Sequence, residues 1–129
     1  MAGGIEIRAA HFPGRAPIEA YGNGGFRFAD MSHRGSILCI PSGIYGWAPE
    51  SLADLDEAAF SRVIEEAAEI GLLLVGTGPS LQPLPAAVRA SLKEAGVSVE
   101  IMSTGAAVRT FNVLLAEERA VAAALIAVE

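Results

Sequence analysis

The sequence is poor in the residues that build covalent and metal-bound frameworks. Its 129 residues include one cysteine, Cys39, and two histidines. A lone cysteine cannot close a disulfide within the chain, and it lies in the apolar stretch SILCIP, where a thiol packs as a small hydrophobe. Two histidines and one cysteine without short ligand spacing do not describe a zinc site. We therefore predict no metal, no cofactor and a reducing compartment.

Basic residues and long apolar runs are also scarce. Nine Lys and Arg residues face 15 Asp and Glu residues, which gives a net charge of −6. This charge repels the phosphate backbone, so nucleic acid is excluded as the expected partner. No apolar stretch approaches the roughly 20 residues that cross a bilayer, and the N-terminus lacks the basic start and apolar core of a signal peptide. We predict no transmembrane segment and a cytoplasmic location.

What the chain does contain is apolar residues, at 52%, enough for the core of one domain spanning residues 1–129. Its first half has the composition of strands. The stretch IEIRA, residues 5–9, is predicted as a strand, and IEAYG and GFRF are predicted to pair as a hairpin across Asn23-Gly24. Residues 37–40 are apolar without alternation, which is typical of a strand covered on both faces.

The second half alternates predicted helices and strands. Residues 51–70 have acidic groups in the first turn and apolar positions at three- and four-residue steps, which predicts a regular helix. A strand at 72–75, a helix at 85–95 and a strand at 97–102 predict a right-handed parallel crossover, hence an α/β fold. A further helix begins at Ser103 or Thr104 and ends near residue 117. The terminal segment AVAAALIAV is compatible with both a helix and a strand.

Two predicted strands end in loops that combine glycine with hydroxyl side chains. Residues 76–80 read Gly-Thr-Gly-Pro-Ser, and residues 103–105 read Ser-Thr-Gly. The carboxyl ends of neighbouring parallel strands meet at one sheet edge, so the loops are predicted to line one small polar pocket. The first loop lacks the lysine of a phosphate loop and the immediate helix of a dinucleotide fingerprint. An anion near Thr77 and Thr104 is the ligand that remains open.

Four further side chains are candidates, each with a structural alternative. Asn112 is predicted half-buried on the last helix, either as an amide that ties helix to loop or as an orienting group in the pocket. Trp47, flanked by glycine and proline, is either a core anchor or an exposed interface aromatic. Glu117 and Arg119 either pair with each other or brace a turn.

The segments LLLVGTG and AGVSVEIMSTGAAVRTFNVLLAEERAVAAALI give the chain a specific resemblance. At this spacing the sequence, from about residue 5 to residue 126, resembles the small family of mitochondrial complex I assembly factor 3 and the adipogenesis-associated cytosolic protein, which has many uncharacterised bacterial members. The resemblance implies a single three-layer α/β domain with a central mixed sheet, the early β-hairpin and a C-terminal strand. One departure is Glu118, where family members commonly carry glycine, so the turn there is expected to be less tight or differently placed.

The residues and the resemblance together leave two functional hypotheses. The first is a non-enzymatic binding or assembly module whose partner is a protein, with a respiratory-chain subunit implied by the resemblance and a homo-oligomer also open. The second is a small-molecule or anion-binding protein or enzyme that uses the loops at 76–80 and 103–105, with Arg109 or Arg119 as counter-charge. The module is favoured because no nucleophile with a base in reach can be read from the sequence. The candidate pocket or interface residues are Trp47, Gly76, Thr77, Gly78, Thr104, Thr110, Asn112, Glu117 and Arg119.

Overall fold

The computed structural model describes the backbone of residues 10–129 and side chains from residue 12 onward. The strand predicted at residues 5–9 lies outside the described residues. The strands are β1 (Ala10–Phe12), β2 (Ile18–Gly22), β3 (Gly25–Phe28), β4 (Met31–Arg34), β5 (Ser36–Ile40), β6 (Gly43–Trp47), β7 (Leu72–Gly76), β8 (Val99–Met102) and β9 (Val121–Leu125), and the α-helices are α1 (Ser61–Glu65), α2 (Ala86–Glu94) and α3 (Thr104–Ala116).

Six strands form a central mixed sheet in the order β1-β6-β5-β9-β7-β8. The pairs from β1 to β9 are antiparallel, whereas β9-β7 and β7-β8 are parallel. The predicted mixed sheet and the buried interior position of β5 are confirmed. The terminal apolar segment is a strand, β9, because both of its faces are covered and all five of its residues are buried. Tertiary burial thus outweighs the helix propensity of its alanines.

The predicted hairpin forms the start of a second, three-stranded sheet, β2-β3-β4. Asn23 and Gly24 both have left-handed φ, at +52° and +78°, which the tight turn between β2 and β3 requires. Ile18, Phe26 and Phe28 face inward and are at most 3% exposed. The small sheet therefore covers part of the central sheet with an apolar face.

The central sheet lies between two covering layers. The first, here called the turn layer, comprises residues 51–70 and α2; the second, the hairpin layer, comprises α3 and β2 to β4. Side chains alternate along β5, so that Leu38 packs with the turn layer and Ile37 packs with the hairpin layer. The two apolar clusters that result make a three-layer α/β fold, as expected.

The regular helix predicted for residues 51–70 is wrong. The segment instead forms 3₁₀ turns at Leu52–Asp54, Ala58–Phe60 and Ala67–Glu69 around the five-residue α1. Two aspartates accept backbone N–H groups within the first part of this segment and stabilise local turns there. Asp54 Oδ2 accepts the N–H of Glu50 at 2.9 Å, and Asp56 Oδ1 accepts that of Ala59 at 2.9 Å.

The apolar face predicted within that segment is nevertheless buried. Phe60, Val63 and Ile70 are at most 6% exposed and pack against the central sheet. Leu55 is also buried, with an extended backbone at φ −80° and ψ +119° that no helix contains. Apolar spacing therefore predicted which side chains face the core, but not the backbone that carries them there.

The two longer helices are confirmed. Helix α2 ends before Gly96, which has a φ of +84°, and Ser103 caps α3 by accepting the N–H of Ala106 at 3.3 Å. Helix α2 connects β7 to β8, and α3 returns from β8 to β9 on the other face of the sheet. The two connections leave the β7 region in opposite directions, so the order of strands reverses at the carboxyl end of β7.

Candidate functional site

The two loops predicted to converge do lie in direct contact. The N–H of Thr104 donates to the carbonyl of Gly78 at 2.8 Å, and the N–H of Gly78 donates to Thr104 Oγ1 at 3.0 Å. The N–H of Thr77 continues the strand pairing by donating to the carbonyl of Met102 at 2.9 Å. Residues 76–80 and 103–105, here called the loop junction, therefore occupy the reversal point of the sheet.

Thr104 is the centre of the loop junction and is fully buried, with 0% of its surface exposed. Its hydroxyl donates to the carbonyl of Ile126 at 2.7 Å while accepting the N–H of Gly78. One side chain thus joins the start of α3 to the ends of β7 and β9. The hydrogen of the Thr104 hydroxyl and one of the two lone pairs on its oxygen are therefore already used in hydrogen bonds within the protein.

Thr77 has a similar role in the loop that follows β7. It is 4% exposed, and its hydroxyl lies 2.8 Å from the carbonyl of Ser80, to which it donates. The same oxygen accepts the N–H of Gln82 at 3.0 Å. The hydroxyls that suggested a polar pocket therefore close the loop on itself, and a ligand at this junction stays a prediction.

Gly76 and Gly78 of the loop junction are required to be glycine for two different reasons. A Cβ at Gly76 would lie 2.9 Å from Thr104 Cα and 3.1 Å from Leu125 Cδ2, so only glycine lets α3 approach β7 this closely. Gly78 has open space around it but a φ of +111°, which side chains rarely permit. Together they make the tight corner in which the strand ends.

Asn112 ties α3 to the small sheet. Its Oδ1 accepts the N–H of Ile18 at 2.8 Å, and its Nδ2 donates to the carbonyl of Ile18 at 2.9 Å. The side-chain amide pairs with both polar groups of one residue of β2, much as a neighbouring strand would. The structural interpretation of Asn112 fits this geometry, with a strand rather than a loop as its target.

Trp47 lies on the opposite face of the central sheet and is 9% exposed. Its indole N–H donates to the carbonyl of Ala59 at 2.7 Å, and its ring meets Phe60 edge to face with centroids 5.4 Å apart. Trp47 is therefore a core anchor that holds the turn layer, the first of the two interpretations left open by the sequence.

The remaining candidates lie on α3 and just beyond its end. Thr110 is half-exposed on the helix, and the carboxylate of Glu117 lies 3.9 Å from the guanidinium of Arg119. Both side chains are more than half exposed, so this pair contributes little to stability, about 0–1 kcal/mol. Glu118 between them has a φ of +62°.

The nine candidates thus do not form one site. Gly76, Thr77, Gly78 and Thr104 meet at the loop junction. Helix α3 carries Asn112 away to β2 and leads to the exposed pair at its far end, while the central sheet separates Trp47 from all of them.

Two grooves of opposite charge were missed by the sequence reasoning. The acidic groove, about 680 Å³ in volume, is lined by Trp47 and Pro49 and by the carboxylates of Glu50, Asp54 and Asp56, with Arg62 as the one cation among the described residues that line it. Arg62 lies over the ring of Tyr45, 4.3 Å from its centroid. The broken backbone of residues 51–58 builds this groove, so a prediction of regular helix could not find it.

The second groove, here called the basic groove, lies on the small sheet and measures about 490 Å³. Arg27 and Arg34 line it, and no Asp or Glu in the part of the chain that the structure describes does so. The alternation of buried and exposed residues in GFRF was the signal that could have placed Arg27 on the solvent face.

Other reactive groups offer little chemistry. The thiol of Cys39 is buried, and its burial raises its pKa far above the ordinary value, so it stays protonated and poorly nucleophilic. Among the side chains that the structure describes, no group of three or more His, Cys, Asp or Glu residues is placed to hold a metal ion.

With this geometry in view, the chain can be compared with known proteins. The family model for "Protein of unknown function (DUF498/DUF598)" matches residues 18–126, which contain the small sheet, every strand of the central sheet except β1, the loop junction and α3. The chain belongs to this family. Its function is therefore not given by the family description.

The chain is also similar to individual proteins from a bacterium and from mouse. An uncharacterized protein of Rhodobacter capsulatus is 39% identical over 119 residues, covering 92% of this chain and 90% of its own. The mouse NADH dehydrogenase [ubiquinone] 1 alpha subcomplex assembly factor 3 is 30% identical over 122 residues, covering 95% of this chain but 66% of its own length. The chain thus spans about two thirds of the mouse assembly factor.

A solved structure matches the fold closely. The crystal structure described as an outer membrane protein from Bartonella henselae has 65% identity and a TM-score of 0.89, and the match covers 92% of this chain and all of that one. In residues 10–129 of the present chain, no helix is both long enough and apolar enough to cross a membrane.

Proposed function

We propose that the chain is a non-enzymatic binding module that assists the assembly of a respiratory-chain complex of the complex I type. The observation that carries this proposal is the similarity to complex I assembly factor 3 along nearly the whole chain. The matched range contains the loop junction, where Thr104 joins α3 to the central sheet, and Asn112, which ties α3 to the small sheet. A cytoplasmic location is part of the proposal.

The geometry supports a binding role over a catalytic one. Thr77 and Thr104 use their hydroxyls in hydrogen bonds within the fold, and Cys39 is buried as a neutral thiol. A catalytic site needs a nucleophile within reach of a base, or an acid–base pair beside a cavity. The candidate residues do not assemble such a pair. The charged grooves, in contrast, are open to a partner.

The test is deletion of the gene in its native host, followed by native gels and NADH:ubiquinone activity of the membranes. An assembly module predicts less fully assembled complex and an accumulation of its subassemblies, both restored by the wild-type gene. A tagged wild-type chain should also capture subunits of that complex after cross-linking. Normal complex levels in the deletion strain, together with no captured subunit, would overturn the proposal.

A further inference from the structure

The small sheet has one apolar face and one charged face. Phe26 and Phe28 point inward, so strand alternation places Arg27 on the solvent side. In the register of β3 with β4, Arg34 pairs with Gly25, which lies on the same face as Arg27. Gly22, which pairs with Gly25 from β2, also lacks a side chain. The basic groove thus has a floor of bare backbone between two guanidinium groups.

The charges of the basic groove contrast with those of the whole chain. The chain carries −6 overall, yet among the described residues two arginines and no carboxylate line this groove, while Glu19 and Glu129 lie at its border. Arg27 uses Nε for Glu19 at 3.3 Å and Nη1 for Ser32 at 3.1 Å, which leaves other guanidinium N–H groups for a ligand. Among the described residues, the guanidinium of Arg34 has no hydrogen-bond or ion-pair partner.

The spacing of the two arginines specifies the ligand further. Arg27 and Arg34 occupy diagonal positions on neighbouring strands, where the separation is about 7–8 Å and somewhat less between Cβ atoms. Residues i and i+2 of an extended chain project to the same side, about 6.6 Å apart. Two carboxylates at i and i+2 therefore match two guanidinium groups across the groove.

We propose that the basic groove docks an extended acidic segment of a partner protein, with carboxylates two residues apart paired to Arg27 and Arg34. The inference rests on the proposed function, since it names the surface by which the module holds its partner. Glu129 borders the groove, because its Oε2 and Arg34 Nη1 both lie within 4 Å of the position that a Cβ would take on Gly24. Its carboxylate competes with an acidic ligand for Arg34.

The test is an NMR titration of the ¹⁵N-labelled chain with blocked peptides. The probes are Gly-Glu-Gly-Glu-Gly, its glutamine twin, and Gly-Glu-Glu-Gly-Gly, whose adjacent carboxylates project to opposite sides. We expect shifts of the amides of residues 22–27 and 32–35 with the first peptide, binding about fivefold weaker for the peptide with adjacent glutamates, which keeps one pair, and binding about 25-fold weaker for the glutamine twin, which loses both. Inorganic phosphate at equal ionic strength serves as the small-anion probe.

Three variants sharpen the result. Arg34→Gln is expected to weaken binding of the first peptide about fivefold without changing the melting temperature, because Arg34 makes no contact that the fold needs. Glu129→Gln is expected to strengthen binding. Arg109→Gln, which removes the same charge from an exposed position on α3 outside the groove, should leave binding unchanged.

The proposal is overturned if the glutamine twin or phosphate produces the same shifts with the same affinity, or if Arg34→Gln binds the first peptide as the wild type does. It is also overturned if sedimentation shows self-association that Arg34→Gln abolishes, because the occupant is then a second copy of this chain.

Comparison with capture in the native host separates this inference from the proposed function. If the wild type and Arg34→Gln capture the respiratory complex equally, the docking surface is overturned and the assembly role is left intact. A wild-type chain that captures nothing overturns the assembly role, while the peptide titration still decides whether the groove binds an acidic segment.

Discussion

The two layers that cover the central sheet are held in different ways. The hairpin layer contains the 13-residue α3 and a three-stranded sheet, and polar side chains such as Thr104 and Asn112 fasten it at defined points. The turn layer joins α2 to a chain of short turns, in which no α-helical piece exceeds five residues. Beside the acidic groove, the turn layer is held to the central sheet by one aromatic residue, Trp47.

The comparison separates a layer that gains stability from its own local backbone hydrogen bonds, the hairpin layer, from one that depends on tertiary packing, the turn layer. A helix of 13 residues with a capped start contributes its own backbone hydrogen bonds, whereas short 3₁₀ turns have poorer hydrogen-bond geometry and contribute less by themselves. The turn layer therefore depends on Phe60, Val63 and Trp47, which pack into the sheet. The hairpin layer depends more on a few buried polar bonds, whose loss leaves partners unsatisfied.

The largest effect is expected for Trp47→Ala, which should destabilise the protein by about 3–5 kcal/mol. The change opens a cavity beside Phe60 and removes the hydrogen bond to Ala59. Chemical denaturation measures the loss, and hydrogen exchange should show the earliest opening in residues 48–70. Trp47→Phe keeps a ring and should lose less. Equal loss of protection in both layers would contradict the difference drawn between them.

Thr104→Val should cost about 2–4 kcal/mol, because it conserves shape but leaves the N–H of Gly78 and the carbonyl of Ile126 without their buried partner. The control Thr104→Ser keeps the hydroxyl and should recover most of the stability. Thermal and urea unfolding of the two variants give the comparison. If serine and valine are equally destabilising, packing of the methyl group rather than the hydroxyl holds the loop junction.

Asn112→Ala should cost about 1–3 kcal/mol, since two half-buried hydrogen bonds to Ile18 are lost. The effect should be confined to the small sheet, where amide exchange of residues 18–34 rises while the turn layer stays protected. Thr110→Ala is the matched control, because Thr110 lies on the same helix and makes no side-chain hydrogen bond among the described residues. A similar loss in both variants would show that helix propensity, not the clamp, is being measured.

The sequence predicted best where structure is set by neighbouring residues. The turn at Asn23-Gly24, the cap at Ser103 and the stop at Gly96 are local signals, and all three appear in the structure. The regular helix predicted for residues 51–70 is wrong because Leu55 is buried with an extended backbone and Asp54 and Asp56 bond the backbone of local turns, and neither feature is visible in the apolar spacing.

The candidate site shows the same limit. The contact between the two loops followed from sheet topology, which the sequence predicts. The hydrogen bonds of the two threonine hydroxyls did not follow from the sequence. The acceptor of Thr104, the carbonyl of Ile126, is brought close only by the fold, and the bond of Thr77 to the carbonyl of Ser80 depends on the conformation of the loop itself. The basic groove required the register of β4 on β3, which no local signal of either strand specifies.

The smallest effect is expected at the end of α3, where Glu118 occupies a left-handed position with a φ of +62°. The N–H of Glu118 donates to the carbonyl of Leu115 at 2.9 Å, and that of Arg119 donates to Leu114 at 3.0 Å, which is the helix-ending arrangement that glycine normally completes. Glu118→Gly should therefore stabilise the protein by about 0.5–1 kcal/mol, because relief of the left-handed strain exceeds the added freedom of the unfolded chain. Glu118→Ala removes the same carboxylate from the negative end of the helix but keeps a Cβ, so it isolates the backbone effect from the charge effect. If urea unfolding gives both variants the same gain, the charge is responsible, and the turn is not strained by carrying a side chain at this left-handed position.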